Sequence, residues 1–218
     1  MELLIIIFVI IACSVIQSVM GIGLLLFGTP TFLLLGFSFI DTLNIVLLPS
    51  IAISFLQIID FKDSRNREIN QFQKNFLLIC LPALCVGLLI MSYNYELINF
   101  KYFIGILLLS VALVRLSNKI DTIIKKNINR IKIPYFLSIG IVHGLTNLGG
   151  SFLSLYASTI FANSKENTRY TIAFSYFLMG LIQFVYIQII HKPPLDKFLL
   201  LYMIISILVF KILGNKIF

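Results

Sequence analysis

What most constrains this chain is where its charges are missing. Residues 3–40, 42–59, 75–95, 102–114, 133–164, 170–191 and 198–210 contain no Asp, Glu, Lys or Arg. A helix crossing the hydrocarbon core of a bilayer needs about 20 mostly apolar residues, because each backbone N–H and C=O must be satisfied within the segment. Several of these stretches reach that length, and together they leave almost no chain for a soluble domain. Only 12% of the 218 residues are charged and 59% are hydrophobic, against about 25% and 45–50% in soluble domains. The sequence therefore predicts an all-α polytopic membrane protein and excludes a soluble catalytic domain. Glu2, and no basic residue, precedes the first apolar run, so that run reads as a membrane segment and not as a cleaved signal peptide.

Cys13, Cys80 and Cys85 each lie inside an apolar stretch, where thiols act as small hydrophobes, so neither disulfide nor metal is expected and no cofactor is implied. The net charge of +8 does not point to nucleic acid, because basic loops beside spans anchor topology against anionic lipid heads.

Residues 42–59, 75–92, 100–115, 170–190 and 196–213 read as simple spans. Two regions do not. Residues 3–40 are too long for one span and are interrupted at Gly21-Ile-Gly23 and Gly28-Thr-Pro30; residues 133–162 are interrupted at Asn147-Leu-Gly149-Gly150-Ser151. Glycine and proline weaken helices, so each region is predicted to be a hairpin of two short or half-depth helices. A shift of 128 residues lays Gly21 on Gly149, Ser18 on Thr146, Pro30 on Ser158 and Asp41 on Arg169. The expectation is two structural repeats, 1–114 and 133–218, joined by a basic cytoplasmic loop at 115–132, with about seven to nine membrane segments.

If both hairpins return to the side they entered, segments 60–74, 115–132, 163–169 and the C-terminal tail share one face and carry 14 of the 17 basic residues. The positive-inside rule makes that face cytoplasmic, with the N-terminus outside and the C-terminus inside a cytoplasmic (inner) membrane. The repeats are then inverted, and their glycine-rich tips point toward each other across the membrane, the arrangement that marks a transporter's binding site near the midplane.

At each tip a new helix is expected to begin, near Gly23 and near Ser151. Free amides at a helix start attract anions, and Gly21, Gly23, Gly149 and Gly150 offer close backbone approach. Gln17, Ser18, Asn44, Thr146, Asn147 and Ser151 complete a neutral polar set for a small anionic substrate. Ser50, Ser54, Gln57, Ser175 and Gln183 are further neutral polar residues in apolar stretches that agree with an anionic guest, and Asn44, Gln57, Ser175 and Gln183 have interhelical hydrogen bonding as their alternative. His143, one turn before Thr146 and Asn147, is the only titratable group well inside an uncharged stretch and is a candidate for proton coupling, with a packing histidine as the equal alternative. Arg169 stands at the mouth of a span, where it either guides anions or sits solvated at the interface. An enzyme is not expected, because acid, base and metal-binding residues are lacking beyond His143 and His191.

Gln17-Ser-Val-Met-Gly21-Ile-Gly23 followed by Pro30, together with His143-Gly-Leu-Thr-Asn-Leu-Gly149-Gly150-Ser151-Phe, resembles the paired glycine-rich signatures of the sulfite exporter TauE/SafE family of membrane permeases. The resemblance spans nearly the whole chain. It implies an inner-membrane transporter of sulfite, organosulfonates or related organic anions, with the family's glycine positions falling on Gly21, Gly23, Gly149 and Gly150 and its small polar neighbours on Ser18, Thr146, Asn147 and Ser151. The alternative function is a non-transporting membrane scaffold or assembly protein, and the exposed hairpins would permit a homodimer.

Overall fold

The structure, a computed structural model, describes residues 2–60, 67–95, 99–116, 126–128, 130–194 and 196–214. Much of the basic segment 115–132 lies outside the described residues, as do 61–66 of the segment 60–74 and the last four residues of the C-terminal tail. The described residues are helical, without strands. In chain order the helices are α1 (Glu2–Met20), α2 (Thr29–Leu34), α3 (Phe39–Asp60), α4 (Arg67–Asn75), α5 (Leu81–Tyr93), α6 (Phe100–Leu116), α7 (Lys132–Thr146), α8 (Gly150–Ile160), α9 (Lys165–Ile190) and α10 (Leu199–Val209).

Among the described residues, three π-helical turns interrupt the regular winding, at Leu24–Gly28, Phe76–Cys80 and Phe210–Gly214. Two of them have the same cause. Proline has no N–H to donate and its ring crowds the carbonyl four residues earlier. Pro30 places that carbonyl at Leu26 and Pro82 places it at Leu78, inside the first and second π turns respectively. Widening the helix there moves the carbonyl out of the ring's way without breaking the rod. Helices α4 and α5 therefore run on through their π turn as one apolar rod, Glu68–Tyr93.

Among the described residues, that rod, α1, α3 and α9 are the four helices long and apolar enough to cross a membrane. The stretches Leu24–Leu34, Phe100–Ser110 and Leu199–Leu213 are apolar but shorter. The first interrupted region differs from the expected pair of short helices: α1 has 19 residues, roughly 28 Å at the usual rise, and only the second limb is short. In the second region α7 has 15 residues and α8 has 11, or roughly 22 and 16 Å, both well under a bilayer core of about 30 Å.

The chain divides into two compact units, one formed by Met1–Arg65 with Arg169–Phe218 and the other by Asn66–Thr168. In the first unit α3 packs against α1, α2 and α10, burying Ile10, Leu24, Leu43, Val46, Leu47 and Ile53. In the second, α5 and α7 lie in close contact. A Cβ on Gly144 would stand 2.5 Å from the Leu84 carbonyl oxygen and 2.7 Å from the Leu88 nitrogen, and one on Gly87 would stand 2.6 Å from the Ile141 oxygen. One on Gly140 would collide with the Cys80 carbonyl. Gly140-x-x-x-Gly144 on α7 thus faces Ala83-x-x-x-Gly87 on α5, the small-residue spacing that lets membrane helices meet backbone to backbone. Beside this contact Phe72, Phe136 and Tyr156 form an aromatic cluster with ring centroids 5.0 to 5.8 Å apart.

Candidate functional site

The break in the first unit is built around one side chain. Gln17, fully buried near the end of α1, accepts the Leu24 N–H at 3.0 Å through Oε1. Its Nε2 donates toward the Ser50 carbonyl at 3.2 Å and toward the Ser50 and Ser54 hydroxyls at 3.1 and 3.2 Å. The sense of the amide is fixed by its partners, since a backbone N–H can only donate and a carbonyl can only accept. Gln17 therefore caps the helix that starts after the break and ties it to α3. Its own carbonyl accepts two bonds, from the Gly21 N–H at 2.8 Å and from Gln57 Nε2 at 2.9 Å. Gln57 Oε1 is buried with no partner, so any group that enters beside it is favoured if it brings a donor.

Gly21 turns the chain with φ of +77°, a left-handed conformation that suits a residue without Cβ. Gly23 serves close packing instead. A Cβ there would stand 2.5 Å from the Gln17 nitrogen and collide with the Cys13 carbonyl, so the hairpin's own first limb occupies the space that the missing side chain leaves. Ser18 turns back to the Ser14 carbonyl at 2.7 Å, within its own helix.

Next to this break lies a positive charge. Arg169 Nη2 donates to the Val19 carbonyl at 2.8 Å, so a guanidinium meets the last turn of α1, where the helix dipole presents partial negative charge and open carbonyls. The side chain is partly exposed, and Val19 stands only two residues before Gly21.

Asn44 belongs elsewhere. Its Nδ2 donates to the Pro194 carbonyl at 3.1 Å and its Oδ1 accepts from Gln188 Nε2 at 2.9 Å, roughly 9 Å along α3 from Ser50 at the usual helical rise. It lines a different cleft of about 600 Å³ with Glu2, Asp41, Asp196 and Tyr202. Widely spaced in sequence, those three carboxylates were not grouped by sequence reasoning. Two of them serve helix starts: Ser38 and Asp41 form a reciprocal cap on α3 at 2.6 and 3.1 Å, and Asp196 accepts the Phe198 N–H at 2.8 Å and the Tyr202 hydroxyl at 3.0 Å before α10.

In the second unit the break gathers His143, Thr146, Asn147, Gly149, Gly150 and Ser151 within nine consecutive residues. Asn147 ends α7 in the left-handed conformation, φ 66°, with its N–H on the His143 carbonyl at 2.8 Å. Asparagine is the residue other than glycine that best tolerates this C-cap. Thr146 Oγ1 donates to the Val142 carbonyl at 2.6 Å and accepts the Leu148 N–H at 3.2 Å. Ser151 Oγ donates to the Leu148 carbonyl at 2.9 Å as α8 begins. A Cβ on Gly149 would stand 2.5 Å from the Ile139 oxygen and 2.6 Å from the His143 Cβ, the same limb-to-limb packing as at Gly23. His143 is fully buried.

Both breaks, then, place a helix start after a glycine-rich turn, and the first break adds Ser50, Ser54 and Gln57; sequence reasoning read Gln57 as an interhelical hydrogen-bonding group and gave the two serines no contact. Their spacing along α3, one turn apart on one face, was the available signal. No curated protein sequence and no solved structure is significantly similar to the chain. The profile of the sulfite exporter TauE/SafE family, however, matches residues 5–218. A match of that extent, over an apolar helical chain with two glycine-rich helix breaks, means that the chain belongs to the sulfite exporter TauE/SafE family of multi-pass membrane transporters.

Proposed function

We propose that this chain is a secondary transporter that moves small anions, among them sulfite, organosulfonates or related organic anions, across the cytoplasmic membrane by alternating access. Its binding elements are the breaks at Gly21–Gly23 and Asn147–Ser151, as inverted repeats 1–114 and 133–218 about the basic loop 115–132, with the N-terminus outside and the C-terminus in the cytoplasm. The observation that carries this reading is the first break. There a helix start faces a turn with no carboxylate in its hydrogen-bond network, and the Arg169 guanidinium is held on the Val19 carbonyl beside it. Amide dipoles and one fixed cation favour a negatively charged guest and disfavour a positive one. In the second break, Thr146, Asn147 and Ser151 supply neutral polar atoms and His143 is the candidate proton carrier.

The test is flux in proteoliposomes with sulfite, short sulfonates and carboxylates, compared with empty liposomes. Flux of at least one of these anions is expected, reduced by Arg169→Gln without loss of insertion. No flux for the whole panel would overturn the carrier reading in favour of a scaffold. Cysteine labelling that placed residues 21–23 and 147–151 at the same aqueous face would overturn the inverted arrangement.

A further inference from the structure

The second unit holds a polar cleft that the transport reading does not use. It measures about 640 Å³ and is lined by Glu68, Gln71, Phe72, Ile128, Lys132, Tyr156, Thr159 and Ile160. Its charged walls come from two helix starts: Glu68 opens the 26-residue rod Glu68–Tyr93, and Lys132 opens α7. Both positions fall on the face that the distribution of basic residues assigns to the cytoplasm.

Three observations mark it as a built site. Tyr156 is only 2% exposed, its ring packed on Phe72, Tyr135 and Phe136 at centroid distances of 5.0 to 5.9 Å, and it lines the cleft with no hydrogen bond from its hydroxyl to a described residue. Lys132 and Glu68 line the same space without pairing with each other or with any other described residue. Partial burial pulls the Lys132 pKa down, as expected of an ammonium that has lost water without gaining a counter-charge. An acid and a base that share a cleft and do not meet leave room for a guest with both signs. A simple anion would face Glu68, and a simple cation would face Lys132.

We propose that this cleft binds a zwitterionic group, an oxyanion and a primary ammonium a few bonds apart, the chemistry of phosphoethanolamine. The oxyanion lies against the Lys132 ammonium and the Tyr156 hydroxyl, where the dipole of the α7 start adds partial positive charge. The ammonium donates to the Glu68 carboxylate and the Gln71 carbonyl. A primary ammonium is required because these groups are acceptors, and a quaternary one has no N–H to give them. Phe72, Ile128 and Ile160 supply an apolar wall that suits a headgroup still joined to its lipid.

The experiment is native mass spectrometry of the purified full chain, titrated with phosphatidylethanolamine, phosphatidylcholine and phosphatidylglycerol, and separately with soluble O-phosphoethanolamine. The ethanolamine lipid is expected to bind about three- to tenfold tighter than the choline lipid. Glu68→Gln should erase that preference while leaving or raising phosphatidylglycerol binding. Lys132→Gln and Tyr156→Phe, which preserve the packing, should weaken all phosphate-bearing ligands by about two- to tenfold. Displacement by soluble O-phosphoethanolamine assigns the site to a free zwitterion, and displacement only by lipid assigns it to the membrane; either supports the proposal. Equal binding of ethanolamine and choline lipids to the native chain, or a preference untouched by all three substitutions, overturns it.

Discussion

Replacing Gln17 by Met tests how the first break is held. Met is close to Gln in length and packs without strain, so the change removes hydrogen bonds and little volume. The Leu24 N–H, buried and bonded to Gln17 Oε1 at 3.0 Å, would lose its acceptor, which costs about 1–3 kcal/mol for a group sealed from water. The bonds to Ser50 and Ser54 are interhelical bonds of a kind that average about 0.6 kcal/mol each in membrane proteins. Serine hydroxyls also have a refuge, because they can turn to the carbonyl four residues back, as Ser175 does at 2.8 Å. The loss of Gln17 should therefore cost roughly 2–4 kcal/mol, most of it from one amide. Reversible unfolding in mixed micelles measures the total, and hydrogen exchange at Leu24 reports the amide itself. The double variant Ser50→Ala, Ser54→Ala should lose only about 1 kcal/mol by the same reckoning. If that double variant proved as unstable as Gln17→Met, or if Leu24 exchange stayed slow in Gln17→Met, Gln17 would not be the cap described here.

Gly23→Ala should fail to insert stably or lose more than about 3 kcal/mol in the same unfolding assay, because the added carbon meets backbone that cannot step aside. Asn147→Gly should leave stability within about 0.5 kcal/mol while Asn147→Val loses roughly 1–2 kcal/mol at a left-handed position; a loss of flux in Asn147→Gly with stability intact would assign the side chain to the substrate. Arg169→Gln should reduce anion flux several-fold in vesicles and Arg169→Lys less, since Lys restores the charge but not the planar fork. Burial lowers the pKa of His191 below its usual 6.5, so the unfolded chain takes up that proton first and stability falls as pH drops through about 6.5. His191→Gln should flatten this acid limb in pH-dependent thermal unfolding.

Much of the architecture was legible because membrane solvent enforces a coarse grammar. Charge-free runs became helices, and the two places where Gly, Pro and Asn interrupt them became helix ends, with α7 closing at Asn147 and α8 opening at Gly150. The length of the first limb was not legible. Nothing in residues 2–20 stops a helix, yet the expectation of two short limbs divided the region by symmetry with the second hairpin, while helix propagation depends only on local breakers, and none precedes Gly21. The site was legible by neighbourhood and not by contact. Gln57 and Asn44 are both buried amides in one apolar stretch, and only the turn count along α3 separates a residue facing the break from one facing the Pro194 loop. The carboxylates of Glu2, Asp41 and Asp196 meet at one cleft across most of the sequence length, which no local pattern can announce.

The glycines show where motif reading needs a physical correction. In sequence, a glycine cluster at a helix break invites the picture of a ligand pressed against bare backbone. At Gly23 and Gly149 the bare backbone is already covered, by Cys13 and Gln17 in one hairpin and by Ile139 and His143 in the other. Glycine there lets the returning limb lie against the outgoing one, so that two helix ends of opposite dipole come within one turn of each other. Such a pair would cancel as an electrostatic feature unless one end were neutralised separately. Arg169, on the Val19 carbonyl, does this for the negative end of α1 and leaves the start at Leu24 as the uncompensated positive end. In the proposed carrier the anion preference would belong to the arginine and the cap together, and the glycines make their approach possible.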